Sequence, residues 1–183
     1  FSIFAGQSNS SGVTNPAAPG FGVVLSSSTS VPSGLVGSYV LVQSTGNSNI
    51  TGSIHSNGRV VLANSNVVNG KITAANAAGL TGSILSVGSS ASIGGNVDVN
   101  GNIAIGGGTV SGRVTQPSGF IYTGPAPAGG RVIGTPTLPV LPAFPAEINF
   151  PTYGATNITG STTISPGVYG AMTLGGSRTV TFS

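Results

Sequence analysis

A five-residue unit, apolar-x-Gly-x-apolar, recurs along this 183-residue chain and constrains its fold more than any other feature. Six clear copies and a weaker seventh are Ile50–Ile54, Val68–Ile72, Leu80–Ile84, Ile93–Val97, Val99–Ile103, Val110–Val114 and Ile158–Thr162. The central glycines of the first six are Gly52, Gly70, Gly82, Gly95, Gly101 and Gly112, and each step between them is a multiple of six or differs from one by a single position. A strand of about five residues and a tight corner advance the chain by one face of a solenoid coil. The repeat therefore predicts an all-β fold, a parallel β-solenoid or β-helix.

Apolar and polar residues alternate most regularly from Val97 to Ile105, where odd positions are apolar or glycine and even positions are mostly polar. Side chains of a strand point alternately to its two faces, so the odd positions are expected inside the coil. Asn-Gly pairs at 57–58, 69–70 and 100–101 suit corners, although they also favour hairpin turns. The regular spacing favours the solenoid. Residues 73–78, the one helix candidate, are expected to form a loop between coils.

Four regions follow from the distribution of repeats and prolines. We expect N-terminal strands and loops that join the solenoid in residues 1–48, regular coils in 49–116, a Pro-rich arm in 117–151 and C-terminal solenoid strands in 152–183. The arm holds 8 of the 12 prolines, and proline lacks the N–H that a central strand donates. We expect the arm to run extended, near polyproline II, along its own solenoid or onto a neighbour.

Charged residues are scarce. Only 4% of the chain is Asp, Glu, Lys or Arg, against about 25% in an ordinary soluble domain. The chain is nevertheless 38% hydrophobic, unlike a disordered segment. A weakly charged surface offers little repulsion between copies, so the expected partner is another copy of the chain. The net charge of +3 is scattered, which argues against nucleic-acid binding, and no apolar run of about 18 residues predicts a membrane span.

Few residues are suited to catalysis or to metal binding. Asp98 and Glu147 are the only carboxylate side chains, and the proline arm separates them. Glycoside hydrolysis usually needs two carboxylates that flank the scissile bond. Asp98 alternates outward and is expected to be solvated, with Arg113 as a neighbour one coil on. His55, the only histidine, also alternates outward and is expected at the surface. The chain has no cysteine, and a metal site needs several ligands. We therefore predict no enzyme activity, no cofactor and no metal site.

The stretch Gly52–Leu62, followed by Val67–Ile72, resembles repeats of bacterial envelope proteins, the PilX-like pilus-associated proteins with solenoid ectodomains. The run Val97–Val114 also resembles the bactofilins, polymer-forming β-helix scaffolds. Segments similar to Pro139–Pro151 and Ile164–Tyr169 follow such repeats in secreted bacterial surface proteins. The resemblance implies a right-handed β-helix, a bacterial origin and a polymer-forming or surface role, with no catalytic residues to carry over. Bactofilins lack long Ser/Pro-rich insertions, so the secreted proteins are the better match.

The expected function is that of a structural subunit of an extracellular bacterial fibre or cell-surface assembly. A solenoid has two open ends, and no capping element is evident near either terminus. We expect self-association through these ends or by strand donation, and the predicted assembly residues are Phe1, Ile3, Phe4, Val180 and Phe182. The chain starts at Phe1 and stops within a strand pattern, so we expect it to be a piece of a longer polypeptide.

Two other functions stay open. Loops 5–20 and 117–151, with Tyr122 and Tyr153, would form the binding elements of a surface adhesin or glycan-binding module of a pilus-like structure. Packing of these rings onto the coils is the simpler interpretation. Ice binding requires a row of threonines on successive coils, and the matching positions are mixed: Thr51, Asn69, Thr81, Gly94, Asn100 and Ser111.

Overall fold

The computed structural model describes residues 3–5, 22–141 and 154–183. Within these residues the regular structure consists of strands, and every strand pairing is parallel. The predicted all-β parallel solenoid is confirmed, and the Asn-Gly pairs mark corners, not hairpins. The chain divides into two compact units, unit 1 (Phe1–Ala143) and unit 2 (Phe144–Ser183).

The described residues contain twenty strands, of which the last two belong to unit 2. In chain order they are β1 (Ile3–Ala5), β2 (Val23–Leu25), β3 (Ser30–Val31), β4 (Leu35–Ser38), β5 (Leu41–Ser44), β6 (Asn49–Ile50), β7 (Ser53–Ser56), β8 (Arg59–Leu62), β9 (Val67–Val68), β10 (Ile72–Ala74), β11 (Ser83–Val87), β12 (Ser92–Ile93), β13 (Val97–Val99), β14 (Asn102–Ile105), β15 (Thr109–Val110), β16 (Val114–Gln116), β17 (Tyr122–Thr123), β18 (Arg131–Ile133), β19 (Thr162–Ile164) and β20 (Val180–Phe182).

Unit 1 is a coil with three faces. Sheet A has seven strands in the order β1-β4-β7-β10-β13-β16-β18, and sheet B has six in the order β2-β5-β8-β11-β14-β17. Sheet C has five, in the order β3-β6-β9-β12-β15. The chain visits the three sheets in turn, so a complete coil adds one strand to each. The next coil repeats the same path, which makes all the pairings parallel.

A typical coil takes about 18 residues, three faces of roughly six each. In sheet A, the successive partners His55 and Thr73 are 18 residues apart, which explains the predicted multiples of six. The following coil is longer. The Asn100 side-chain amide donates a hydrogen bond to the Ala75 carbonyl in the coil before it, and these two residues are 25 positions apart. The extra length lies in residues 75–82, between β10 and β11, where the N–H groups of Ala75 and Ala77 still donate to the preceding coil and residues 77–79 are exposed. The loop predicted at 73–78 is therefore found from residue 75 onward, while Thr73 still lies in β10.

The inside of unit 1 is aliphatic. Sheet A contributes a stack of side chains with no solvent exposure, each paired with the next across neighbouring coils: Val36, Ile54, Ile72, Val97 and Val114. Sheets B and C add stacks of the same kind, such as Val42 on Val60 and Ile50 on Val68. Burying one such side chain contributes about 1.5–3 kcal/mol. The odd positions from 97 to 105 are buried, as the alternation predicted.

Four copies of the five-residue repeat form the corner between sheets C and A, since each joins a sheet C strand to the following sheet A strand. Their central glycines stack from coil to coil, and the Gly70 N–H donates a 3.0 Å hydrogen bond to the Gly52 carbonyl. A methyl group on Gly52 would overlap the carbonyl oxygen of Gly34, and one on Gly112 would overlap that of Gly95. Glycine is required here because neighbouring coils approach too closely for a side chain.

Regular coils extend beyond residues 49–116 in both directions. Gly34 occupies the corner one coil before Gly52 and contacts it. At the other end, the Gly129 N–H donates a 3.2 Å hydrogen bond to the carbonyl of Gly112 in the preceding coil. Two strands, β17 and β18, therefore fall within the predicted Pro-rich arm. Both are outermost strands of their sheets, as expected where prolines limit pairing. Residues 135–141 form neither helix nor strand, and 142–151 lie outside the described residues.

Unit 2 contains a short parallel pairing of its own. Strands β19 and β20 pair in parallel, and Ile158 makes an isolated parallel bridge with Met172. The side chains of Ile158 and Ile164 are buried, while most of the other described residues of unit 2 are exposed. The weaker repeat copy, Ile158–Thr162, leads into β19.

Candidate functional site

The predicted assembly residues near the N-terminus belong to the first coil of unit 1. Strand β1 pairs with β4 of the same chain, with Ile3 opposite Val36 and Phe4 opposite Gly37. The Phe4 ring is 36% exposed and meets the Tyr39 ring edge-on, with the centroids 5.4 Å apart. Ile3 is partly buried against the core. The strand proposed for donation is thus paired within its own chain, and Phe1 lies outside the described residues.

The predicted assembly residues near the C-terminus lie on β20 of unit 2. Phe182 is 74% exposed and Val180 is partly buried. Within the described residues β20 has β19 as its partner, with Ile164 opposite Phe182. The two groups of assembly residues therefore belong to different units, and each stands at the outermost strand of its sheet.

The C-terminal end of the unit 1 solenoid exposes a group of apolar side chains. Its outermost strands are β15, β17 and β18, each with one strand partner in the described residues. Exposure is 63% for Ile121, 58% for Ile133, 41% for Val132 and 38% for Phe120. These residues fall in the segment predicted to be the Pro-rich arm, and none of them is among the predicted assembly residues.

Tyr122 and Arg131 partly cover the core at this end. Tyr122 follows Ile103 in sheet B and packs against the buried cluster, and the Arg131 guanidinium lies 4.4 Å from its ring centroid. The Tyr122 hydroxyl donates a 2.5 Å hydrogen bond to the Pro125 carbonyl. Burial raises the pKa of Tyr122, and the positive charge of Arg131 opposes that shift. Tyr122 thus packs on the coils, the simpler of its two predicted roles, and Tyr153 lies outside the described residues.

The outer face of sheet A carries a row of buried polar side chains. His55, Thr73, Asp98 and Thr115 are successive partners in neighbouring coils, and they are 4%, 0%, 6% and 5% exposed. The expected surface position of His55 and the expected solvation of Asp98 are both wrong. The alternation correctly placed these side chains outside the coil, but this face of the sheet is covered.

Each of these polar groups has a defined environment. The His55 Nδ1 lies 2.6 Å from the Thr73 hydroxyl oxygen, and burial, then the positive charge of Lys71, lowers the pKa of His55. Asp98 accepts a 3.4 Å hydrogen bond from the backbone N–H of Thr137. Arg113, the predicted neighbour of Asp98, lies at the corner just before β16. Its backbone N–H donates a 2.9 Å hydrogen bond to the side-chain oxygen of Asn96.

Part of the cover comes from residues 135–141, here termed the strap. The strap follows β18, and the N–H of the intervening Gly134 donates a 2.9 Å hydrogen bond to the carbonyl of Gln116. Pro136 and Leu141 of the strap are buried. Thr137 reaches Asp98, two strands away from β18 in sheet A. The strap is the last described segment of the predicted Pro-rich arm, after β17 and β18.

The polar row places the His55 imidazole and the Asp98 carboxylate on either side of Thr73, and the contacts of both side chains described above are made within the chain. In the described residues no three His, Cys, Asp or Glu side chains group in a way that could hold a metal ion, and Glu147 lies outside them. The same part of the chain contains no helix long and apolar enough to cross a membrane. The positions considered for ice binding occupy two different corners, since Thr81 and Asn100 lie between sheets A and B.

Comparison of the chain with family models, with curated proteins and with solved structures gave no match.

Proposed function

We propose that the chain is a structural subunit of an extracellular bacterial fibre or surface assembly, and that it associates with copies of itself through the ends of its solenoid. The observation that carries this proposal is the C-terminal end of unit 1, where β15, β17 and β18 each lack a second strand partner in the described residues. The bacterial and extracellular setting rests on the resemblance to secreted solenoid proteins.

The outermost strands provide a template for another coil. Strands β17 and β18 present backbone N–H and C=O groups on their free sides, and a strand added there satisfies them. On β15 the Val110 carbonyl already accepts a 2.9 Å hydrogen bond from the Ala128 N–H. A second copy has the same three-faced cross-section, with β1, β2 and β3 as its first strands among the described residues. Head-to-tail contact of this kind is heterologous, and such contacts build open filaments when they do not close into a ring.

The side chains at this end favour burial. Ile121, Ile133 and Val132 are each more than a third exposed, and covering apolar area contributes about 25 cal/mol per Å². Arg131 is the one charged residue in β15, β17 and β18, so a single guanidinium must lose water when another coil docks. Its contact with the Tyr122 ring offsets part of that cost, because a cation over an aromatic face is stabilised by about 0.5–2 kcal/mol.

Filament formation is the direct test. The purified chain should show a particle mass that rises with concentration in light scattering and linear assemblies in electron microscopy. Ile133→Lys places a second charge at the C-terminal end of unit 1 and should abolish both signals. Asn49→Lys is the matched control, because Asn49 is exposed on the outer side of sheet C, away from that end. A chain that stays monomeric at every concentration would overturn the proposal.

A further inference from the structure

The three sheets of unit 1 differ in what their outer faces present to solvent. The outer row of sheet A is buried from Gly37 to Thr115. The outer row of sheet B is more open, but it includes the apolar side chains of Val24, Val61 and Ala104. Each strand of sheet C has two residues, one directed inward and one outward, and its outward side chains are mostly polar and open. Sheet C is therefore the face of unit 1 best suited to a polar ligand.

Two columns of side chains make up this face, here termed the sheet C surface. The first column contains the outward residues of the strands, and the second contains the residues just after each strand, at the corner toward sheet A. Their members are Ser30, Asn49, Val67, Ser92 and Thr109, and Pro32, Thr51, Asn69, Gly94 and Ser111. All are exposed except Ser92, which is half-buried. Parallel strands lie about 4.7–4.9 Å apart, so each column presents one residue per coil at that interval.

The polar side chains of the sheet C surface are available to a ligand. None of them makes a side-chain hydrogen bond within the described residues: Ser30, Asn49, Thr51, Asn69, Ser92, Thr109 and Ser111. At the neighbouring corner, between sheets B and C, the side chains of Ser44 and Asn66 bond to each other instead. The solenoid thus uses one set of polar side chains for its own structure and leaves the set on the sheet C surface free.

Two cations border the sheet C surface on its sheet A side. Lys71 and Arg113 are exposed, and they directly precede β10 and β16 or its first residues, which are separated in sheet A by β13 alone. Two strand spacings place their Cα atoms about 9–10 Å apart. Within the described residues neither side chain has a partner. By contrast, Arg59 and Arg178 each donate to a backbone carbonyl, and Arg131 lies over an aromatic ring.

We infer that the sheet C surface binds a linear acidic polysaccharide. Lys71 and Arg113 would pair with its anionic groups, while hydroxyl and amide side chains such as Thr51 and Asn69 exchange hydrogen bonds with sugar hydroxyls. An extended polymer suits the surface because each column repeats along the solenoid axis. This binding goes beyond the proposed function, since it requires no contact between solenoid ends.

The balance of charge and polarity favours a polysaccharide over a nucleic acid. Double-stranded DNA carries one negative charge per about 1.7 Å of its axis, and its binding rests mainly on several cations. The sheet C surface offers two cations, and neutral hydrogen-bonding groups outnumber them. Asp98, the one carboxylate side chain in the described residues, is buried on sheet A and accepts from Thr137, so these cations keep their charge for a ligand.

Binding to immobilised sodium alginate, a linear polymer of uronic acids, tests the inference. The unaltered chain should bind at low salt, and its affinity should fall as salt is added. Lys71→Gln/Arg113→Gln should lower the affinity several-fold. Arg59→Gln/Arg178→Gln is the matched control, because it removes the same charge at other sites and should bind as the unaltered chain does. Circular dichroism checks that both double variants keep the fold.

A second variant separates a built surface from simple attraction between charges. Thr51→Val/Asn69→Leu leaves the net charge unchanged and should still weaken binding to alginate. Equal affinity of the two arginine- and lysine-altered double variants would overturn the inference, and so would equal binding of the unaltered chain to neutral dextran. Tighter binding to double-stranded DNA than to alginate would assign the surface to nucleic acid instead. Measurements on dilute chain, without filaments, keep these outcomes distinct from failure of the end-to-end proposal.

Discussion

The Nδ1 atom of His55 lies 2.6 Å from the hydroxyl oxygen of Thr73 in the next coil of sheet A. Both side chains are buried on the outer face of the sheet. Burial, with a smaller contribution from the charge of Lys71, lowers the pKa of His55 from its ordinary value of 6.5. The folded chain therefore favours the neutral imidazole.

This relationship predicts loss of stability in mild acid. Below about pH 6.5 the unfolded chain binds a proton at His55, whereas the folded chain binds it only below its lowered pKa. The free energy of unfolding should therefore fall as the pH drops from 6.5 toward the folded-state pKa. Urea unfolding between about pH 8 and about pH 5 measures this fall. His55→Gln should flatten that part of the profile, and an unchanged profile would contradict the role of His55.

The corner between sheets C and A should not tolerate a side chain. Gly112→Ala directs a methyl group at the carbonyl oxygen of Gly95, a backbone atom that cannot rotate away. Overpacking of this kind costs about 1–3 kcal/mol of unfolding free energy. Gly134→Ala is the matched control, because the nearest heavy atom to its new methyl group is a Val132 carbon at 3.8 Å. Equal losses in the two variants, measured by denaturant unfolding, would argue against the steric explanation.

A buried asparagine organises the corner between sheets B and C. The Asn66 side-chain oxygen accepts hydrogen bonds from the Ser44 hydroxyl at 2.5 Å and the Ser48 N–H at 3.0 Å. Asn66→Ala leaves these buried donors without that acceptor, and we expect a loss of about 1–3 kcal/mol. Asn49→Ala, at an exposed position of the same solenoid, should change the free energy of unfolding by less than about 0.5 kcal/mol. Chemical denaturation of both variants provides the comparison.

The contact between Arg131 and Tyr122 predicts a change in titration. Burial raises the pKa of Tyr122, and the Arg131 charge lowers it by a smaller amount. Arg131→Gln removes the charge, so the pKa of Tyr122 should rise further. Ultraviolet absorbance titration, corrected with a Tyr122→Phe variant, isolates this tyrosine from the other three. Arg178→Gln in unit 2 should leave the Tyr122 titration unchanged, and a fall after Arg131→Gln would contradict the assigned contact.

The local pattern predicted the coils because each coil is built from nearly the same short sequence. Glycines such as Gly52 and Gly112 must recur where neighbouring coils touch, and their spacing carries the coil length. The same spacing extends to Gly34 and Gly129, but their flanking residues depart from the apolar-x-Gly-x-apolar unit. Spacing alone would have extended the coils to Gly34 and Gly129, but not to β1, because Ile3 and its partner Val36 are 33 residues apart.

The repeat pattern could not predict contacts between segments that are distant in sequence. Alternation gave the correct direction for His55 and Asp98, yet exposure depends on what lies over the sheet. The cover includes Thr137, which is 39 residues from Asp98 and carries no repeat of its own. The Arg131–Tyr122 pair likewise depends on how β17 and β18 align, and neither strand carries the five-residue unit.

The loop at residues 75–82 shows how this scaffold accepts added sequence. The strands before and after it still pair with both neighbouring coils, with one register shift between Ser83 and Leu85, although the coil between Thr73 and Asp98 is longer than the coils on either side of it. Residues 77–79 are exposed, and the excursion is closed by hydrogen bonds between Asn76 and Leu80. A foreign peptide inserted at this tip would be displayed outward from each copy, which makes the tip a natural grafting point for an epitope or a fluorescent label.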